Sequence, residues 1–213
     1  ARLGRLRDLG LDLVELGVQS FDPACLAASG RGYGREQALA ACAMVRGAGL
    51  GLGIQLLPGL PGMPPEPDGA FARDVALALA QGPQAVRLYP CVVLPGTGLA
   101  RSWAAGSYAP WTVAQAADLL GRALLACWRA GVPVIRLGLA PQPGLARDIL
   151  AGPWHPALGQ MARSRALWSH VADALERRGL RPARLLVPRR HLSDVLGHGR
   201  EKIGRAHVWT PVT

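Results

Sequence analysis

Residues 14–34 read VELGVQSFDPACLAASGRGYG. The run begins apolar, turns polar at Gln19 and Ser20, restarts after Asp22-Pro23 and reaches Arg31 among glycines. Asp22-Pro23 is a helix start. The aspartate caps free backbone N–H groups, and proline fits the first helical position, where its missing N–H costs nothing. The segment LDLVELGV (11–18) is apolar along most of its length, which suits a strand covered on both faces. The chain therefore leaves a buried strand through two polar residues, and a short helix carries it back toward the strand's end. A glutamine amide placed there can both donate and accept, and an arginine brought to the same rim is the natural partner of a ligand carboxylate.

The same unit recurs. LGLGIQLL (50–57), AVRLYP (85–90) and VPVIRLGL (132–139) read as strands, and helical patterns fall at 22–29, 35–47, 69–81, 112–130 and 158–178. Thr112 with Gln115 makes a capping box, and Gly131 sits where a helix stops. Strands alternating with helices imply right-handed crossovers and a parallel sheet, so the expected class is α/β, with sites at the strands' C-terminal ends. Residues 1–10 read as the tail of an amphipathic helix with a glycine stop, and ARLLVP (183–188) as a strand of a small appended unit.

Composition narrows the classes. Half of the 213 residues are apolar and 18 % are charged, so the chain is globular rather than disordered. No run of eighteen apolar residues occurs, which excludes an ordinary membrane-spanning helix. The net charge of +10 suggests nucleic acid, but the only lysine is Lys202, and arginine with abundant Ala, Gly and Pro fits a GC-rich genome as well. The basic excess concentrates after residue 160, in RSR, ERR and PRR. Cys25, Cys42, Cys91 and Cys127 form no C-x-x-C pair and have neither zinc-site nor disulfide-framework spacing; three of them sit in apolar helical patterns as small hydrophobes.

Two glycine-rich motifs read differently. In GAGLGLG (47–53) the glycines follow a helix and open a strand, the reverse of a dinucleotide-binding loop, so they are a helix stop and close packing. PGLPG (58–62) follows a strand: Gly59, Leu60, Pro61 and Gly62 fix a backbone path against which a ligand can lie. Tyr89 ends the third strand. Arg136 lies within the fourth, where an arginine must find a partner or a cavity. His155, in GPWHPALG, reads as a structural loop residue.

Taken in order, GVQSFD, SGRG, LLPGLPG, RLYP, GTGL and VIRLGL resemble the second half of a radical S-adenosylmethionine barrel. The group most similar is the bacterial one akin to the radical domain of the elongator catalytic subunit; a second relative is oxygen-independent coproporphyrinogen oxidase. The resemblance implies a partial (β/α)6 barrel, a [4Fe-4S] cluster and S-adenosylmethionine, cleaved reductively to a radical that takes a hydrogen atom from a substrate. It assigns cofactor contacts to Gln19, Ser20, Arg31 and Gln55, the pocket wall to residues 59–62, and the substrate side to Tyr89 and Arg136. It further implies a cytoplasmic enzyme with an electron donor such as flavodoxin or ferredoxin, and a substrate for which tRNA bases and porphyrin-like molecules are the analogies.

The family's C-x3-C-x2-C cluster motif is absent, and no acetyltransferase segment is visible. The expectation is therefore a fragment, inactive by itself. Residues 1–165 form part of the barrel, 166–202 a truncated basic appendage, and 203–213 (IGRAHVWTPVT) translated sequencing adaptor rather than native chain. The competing reading is a non-catalytic α/β module whose basic C-terminal unit binds RNA or a protein.

Overall fold

In the computed structural model the described residues are 2–139, 144–181 and 186–200. A first helix, α1 (Arg2–Asp8), leads into β1 (Leu13–Gln19), α2 (Pro23–Ala28), α3 (Arg35–Gly47), β2 (Gly51–Leu56), α4 (Ala70–Ala80) and β3 (Ala85–Leu88). There follow α5 (Gly98–Ala104), α6 (Val113–Arg129), β4 (Val134–Leu137), the short α7 (Leu145–Asp148), α8 (Leu158–Arg177) and α9 (Leu192–Leu196). The four strands form one parallel sheet in the order β1-β2-β3-β4. Each expected strand and each expected helix through residue 178 is present; α5, capped by Thr97 Oγ1 on Ala100 N at 3.1 Å, is a helix that apolar spacing does not announce. No helix among the described residues is long and apolar enough to cross a membrane.

The local signals act as their chemistry requires. Asp22 Oδ1 accepts from Ala24 N and Cys25 N at 3.0 and 3.2 Å, and Thr112 and Gln115 close their reciprocal box at 2.8 and 3.2 Å. Gly49 stops α3 at φ +73°, and Gly51 lies too close to Asp12 and Gln84 to carry a side chain.

The sheet differs from expectation in one respect. Leu52, Ile54, Leu56, Val86 and Leu88 point into a core completed by Cys42 and Val45 of α3, Phe71 and Val75 of α4, and Leu120 and Cys127 of α6. The alternate positions are Glu15, Gly53, Gln55 and Arg87, with Arg136 opposite Arg87 in register, and they form a polar second face. Helices thus cover one face, as in a segment of a (β/α) barrel, and polar residues line the other. β1 and β2 look apolar along most of their length because Gly17, Gly51 and Gly53 stand on that second face.

Beyond the sheet, α8 crosses α6 closely at Gly121, where a Cβ would meet Ala162 O at 3.0 Å, and Arg165–Asp118 at 2.7 Å ties the helices. The expected division at 165/166 falls inside α8, which runs unbroken to Arg177. α9 returns onto α8 through Trp168 Nε1 donating to Val195 O at 2.8 Å and the Arg163–Asp194 pair at 3.2 Å. Residues 183–185 of the expected 183–188 strand and all of 203–213 lie outside the described residues, and no named strand falls at 186–188.

Candidate functional site

The C-terminal end of β1 is built around one strained residue. Gln19 has φ +65°, the only positive φ of a non-glycine residue among those described. Such a conformation costs about 1–3 kcal/mol and persists only when its surroundings over-determine it. They do so here from several directions. The strand bulges between Leu16 and Gln19, and Leu57 N donates to Gln19 O at 2.8 Å. Tyr33 Oη donates toward Gly17 O and Val18 O at 3.1 and 2.9 Å, and Arg35 Nε donates to Phe21 O at 2.7 Å. From α4, Asp74 accepts from Ser20 Oγ at 2.6 Å and Phe21 N at 2.7 Å.

The result is an aimed amide. Gln19 Oε1 accepts from Gln55 Nε2 at 3.4 Å, which joins the ends of β1 and β2. The Gln19 side chain lies over Gly17, where a Cβ would stand 2.6 Å from Nε2. Ser20, expected among the ligand contacts, is instead fully buried: its hydroxyl donates to Asp74 and accepts from Asp22 N at 3.0 Å, so it braces the turn beneath the rim.

The PGLPG loop lies beside this pair. Gly59 and Gly62 take φ +85° and +79°, which glycine alone adopts without strain. A Cβ on Gly59 would be 3.3 Å from the Trp111 ring; Tyr108 Oη donates to Gly59 O at 2.6 Å, and Trp111 Nε1 to Met63 O at 2.9 Å. Phe71 meets Trp111 edge-on, centroids 5.9 Å apart. Leu60 is buried in this packing, Pro61 half-buried, and Gly62 exposed beside Ala24 and Cys25 of α2. Cys91 N donates to Pro58 O at 2.8 Å, so the chain after β3 also holds the loop.

Arg31 is exposed. Burial pushes the Cys91 thiol and the Tyr33 hydroxyl up, and the Arg31 charge pulls both down. Tyr89 is half-buried at the end of β3, its N–H donating to Leu56 O at 3.1 Å. Arg136 is exposed and lines a cleft of about 390 Å³ with Gly138, Pro156, Gln160 and Arg163. The polar face between them is tied by Arg87 Nε to Glu15 Oε2 at 2.9 Å. His155 is structural: its Nδ1 accepts from Ala157 N at 3.0 Å, and its ring meets His198 edge-on at 4.9 Å.

Cluster ligation is a separate matter. A [4Fe-4S] cluster takes clustered thiolates. The four cysteines here are all buried and lie in four different segments. Burial raises each thiol, Cys25 to about 12 and Cys127 to about 11. No group of three or more Cys, His, Asp or Glu suited to a metal occurs among the described residues. The cysteines of this chain do not fit the cluster.

The structure joins Gln19 to Gln55 and leaves Arg31 exposed. Sequence reasoning missed Tyr33, Asp74, Tyr108, Trp111 and the Glu15–Arg87 pair, which brace the β1 turn, the glycine loop and the polar face of the sheet. Only weak signals were available: a glutamate inside an apolar strand, and an aspartate on the apolar face of AFARDVALALA (70–80).

Comparison with known proteins fits this geometry. Residues 83–167 match the Radical_SAM C-terminal domain, which takes in β3 through the first half of α8. Two curated relatives, from Methanocaldococcus infernus and Methanocaldococcus jannaschii, are each 31 % identical over 121 residues, 57 % of this chain, and are named tRNA uridine(34) acetyltransferase. One of the same name from Dehalococcoides mccartyi is 36 % identical over 111 residues, 52 % of this chain. The chain spans 22–24 % of the length of these relatives. The structure of archaeal Methanocaldococcus infernus Elp3 with an N-terminal deletion superposes with a TM-score of 0.63 and 26 % identity, covering 84 % of this chain and 39 % of that one. The chain is thus an α/β relative of the radical S-adenosylmethionine proteins. Its similarity to the Elp3 group covers about half of this chain by sequence and 84 % of it by structure.

Proposed function

We propose that this chain is the S-adenosylmethionine-binding half of a radical S-adenosylmethionine enzyme of the elongator type. The observation that carries the reading is the Gln19–Gln55 amide pair at a strained strand end, with the PGLPG loop following β2. In that reading Gln19 and Gln55 hydrogen-bond the ligand's polar groups and Arg31 pairs with its carboxylate. Residues 59–62 form an apolar wall, and Tyr89 and Arg136 face the substrate. A cluster in such an enzyme would supply the electron that cleaves S-adenosylmethionine, and the buried, scattered cysteines of this chain do not fit as its ligands. The homologues' name supports a tRNA substrate; a cytoplasmic enzyme served by an electron donor such as flavodoxin or ferredoxin completes the proposal.

The test is to sequence the genomic locus through both ends of this reading frame and to titrate the chain with S-adenosylmethionine. A C-x3-C-x2-C triplet upstream, with binding that Gln19→Ala weakens, supports the reading. A start codon just before Ala1, no binding, and RNA affinity that falls steeply with salt would replace it with the basic binding module.

A further inference from the structure

We propose that Asp74 is a positioning residue: from α4 it clamps the turn after β1 and so holds the Gln19 amide against Gln55. The inference rests on the reading of Gln19 as a ligand contact.

Asp74 is 1 % exposed, yet its partners are the neutral donors Ser20 Oγ and Phe21 N, at 2.6 and 2.7 Å. The nearest charges do not compensate it. Asp22 carries the same sign, and Arg73 turns outward to Asp22 at 3.6 Å. A lone buried carboxyl is costly, and an apolar residue would pack on the same helix face at lower cost. Burial accordingly pushes Asp74 up to about 6.

What the carboxyl secures is geometry. Ser20 directly follows Gln19, so the peptide that joins them is held on one side by Leu57 N at Gln19 O and on the other by Asp74 at Ser20 and Phe21. Relaxing Gln19 to an ordinary φ would swing that peptide and break both clamps. The donors that fix the turn are therefore read by one group on a different element, 54 residues away in the chain.

The experiment compares Asp74→Ala and Asp74→Asn in the full chain by two readouts: the side-chain amide resonances of Gln19 and Gln55 without ligand, and the dissociation constant for S-adenosylmethionine. The expected result for Asp74→Ala is a cooperatively folded chain with both amides shifted and affinity about tenfold weaker, the size of one lost hydrogen-bond contribution. Asp74→Asn, which keeps an acceptor for Phe21 N, recovers to within about threefold. Should Asp74→Ala fail to fold, Ser20→Ala removes one clamp and is read the same way. A folded variant with unmoved amides and parental affinity overturns the inference. If Gln19→Ala leaves affinity unchanged, the binding reading fails instead, and the ligand-free amide signature still decides the role of Asp74.

Discussion

The ends of β1 and β4 occupy equivalent positions in one parallel sheet, yet they are built in opposite ways. At β1 the turn from Gly17 to Asp22 is held by Tyr33, Arg35, Asp74 and Leu57, and a glutamine sits in a left-handed conformation. At β4, Arg136 and Ile135 are exposed on an edge strand beside an open cleft. Both are edge strands, but the end of β1 is braced by side chains from α3, α4 and the Tyr33 turn, and strain persists only where several elements support it. In the proposed function this divides the work: the rigid end receives an invariant ligand, and the open end tolerates a changing one.

Four measurements sharpen or break that contrast. The largest effect is expected at Trp111, whose ring roofs Gly59 and whose N–H holds Met63. Trp111→Ala costs about 3–5 kcal/mol in denaturant unfolding. A loss below about 1 kcal/mol would mean that the loop is not held by packing.

Next is the pH dependence carried by Asp74. Its folded value of about 6 lies above the ordinary 3.8. Between these values the unfolded chain releases the proton first, so stability falls as pH rises from about 4 to 6, by up to about 3 kcal/mol from this group. Asp22 has the opposite sign, held low by the Cys25 and Ala24 N–H groups and the Arg73 charge despite its burial, and it loses stability only below that window. The Cys25 thiol, at about 12, does not titrate there. Subtracting the Asp74→Asn profile from the parent's isolates the slope; parallel profiles would count against a buried, unpaired carboxyl.

Gly17→Ala follows. The new methyl meets only the far end of the Gln19 side chain, so stability falls by no more than about 1 kcal/mol. The Gln19 amide resonances should move nonetheless; unmoved resonances would show that the amide is not laid over Gly17. The smallest effect is Arg136→Ala, whose stability change stays within about 0.5 kcal/mol because the side chain is exposed. A larger loss would erase the contrast with β1.

Much of this was legible along the chain. Asp22-Pro23, the Thr112–Gln115 box and Gly49 punctuate elements by local hydrogen bonding and backbone freedom, which act over a few residues and so can be read from a few residues. The polar strand ends at Gln19 and Gln55 and the PGLPG loop were legible for the same reason. The second face of the sheet was not. Gly17, Gly51 and Gly53 hide it, because a strand with glycine at alternate positions reads as apolar throughout.

The sequence alone thus determined the α/β alternation, the four strands and the rim on which polar residues gather, since each follows from period, caps and turns. Only the tertiary structure decided that Ser20 faces inward and that Asp74, 54 residues away, holds it. It also decided that Glu15 and Arg87 meet across the intervening strand. These are contacts between elements, and they depend on register and helix rotation, which no local pattern encodes.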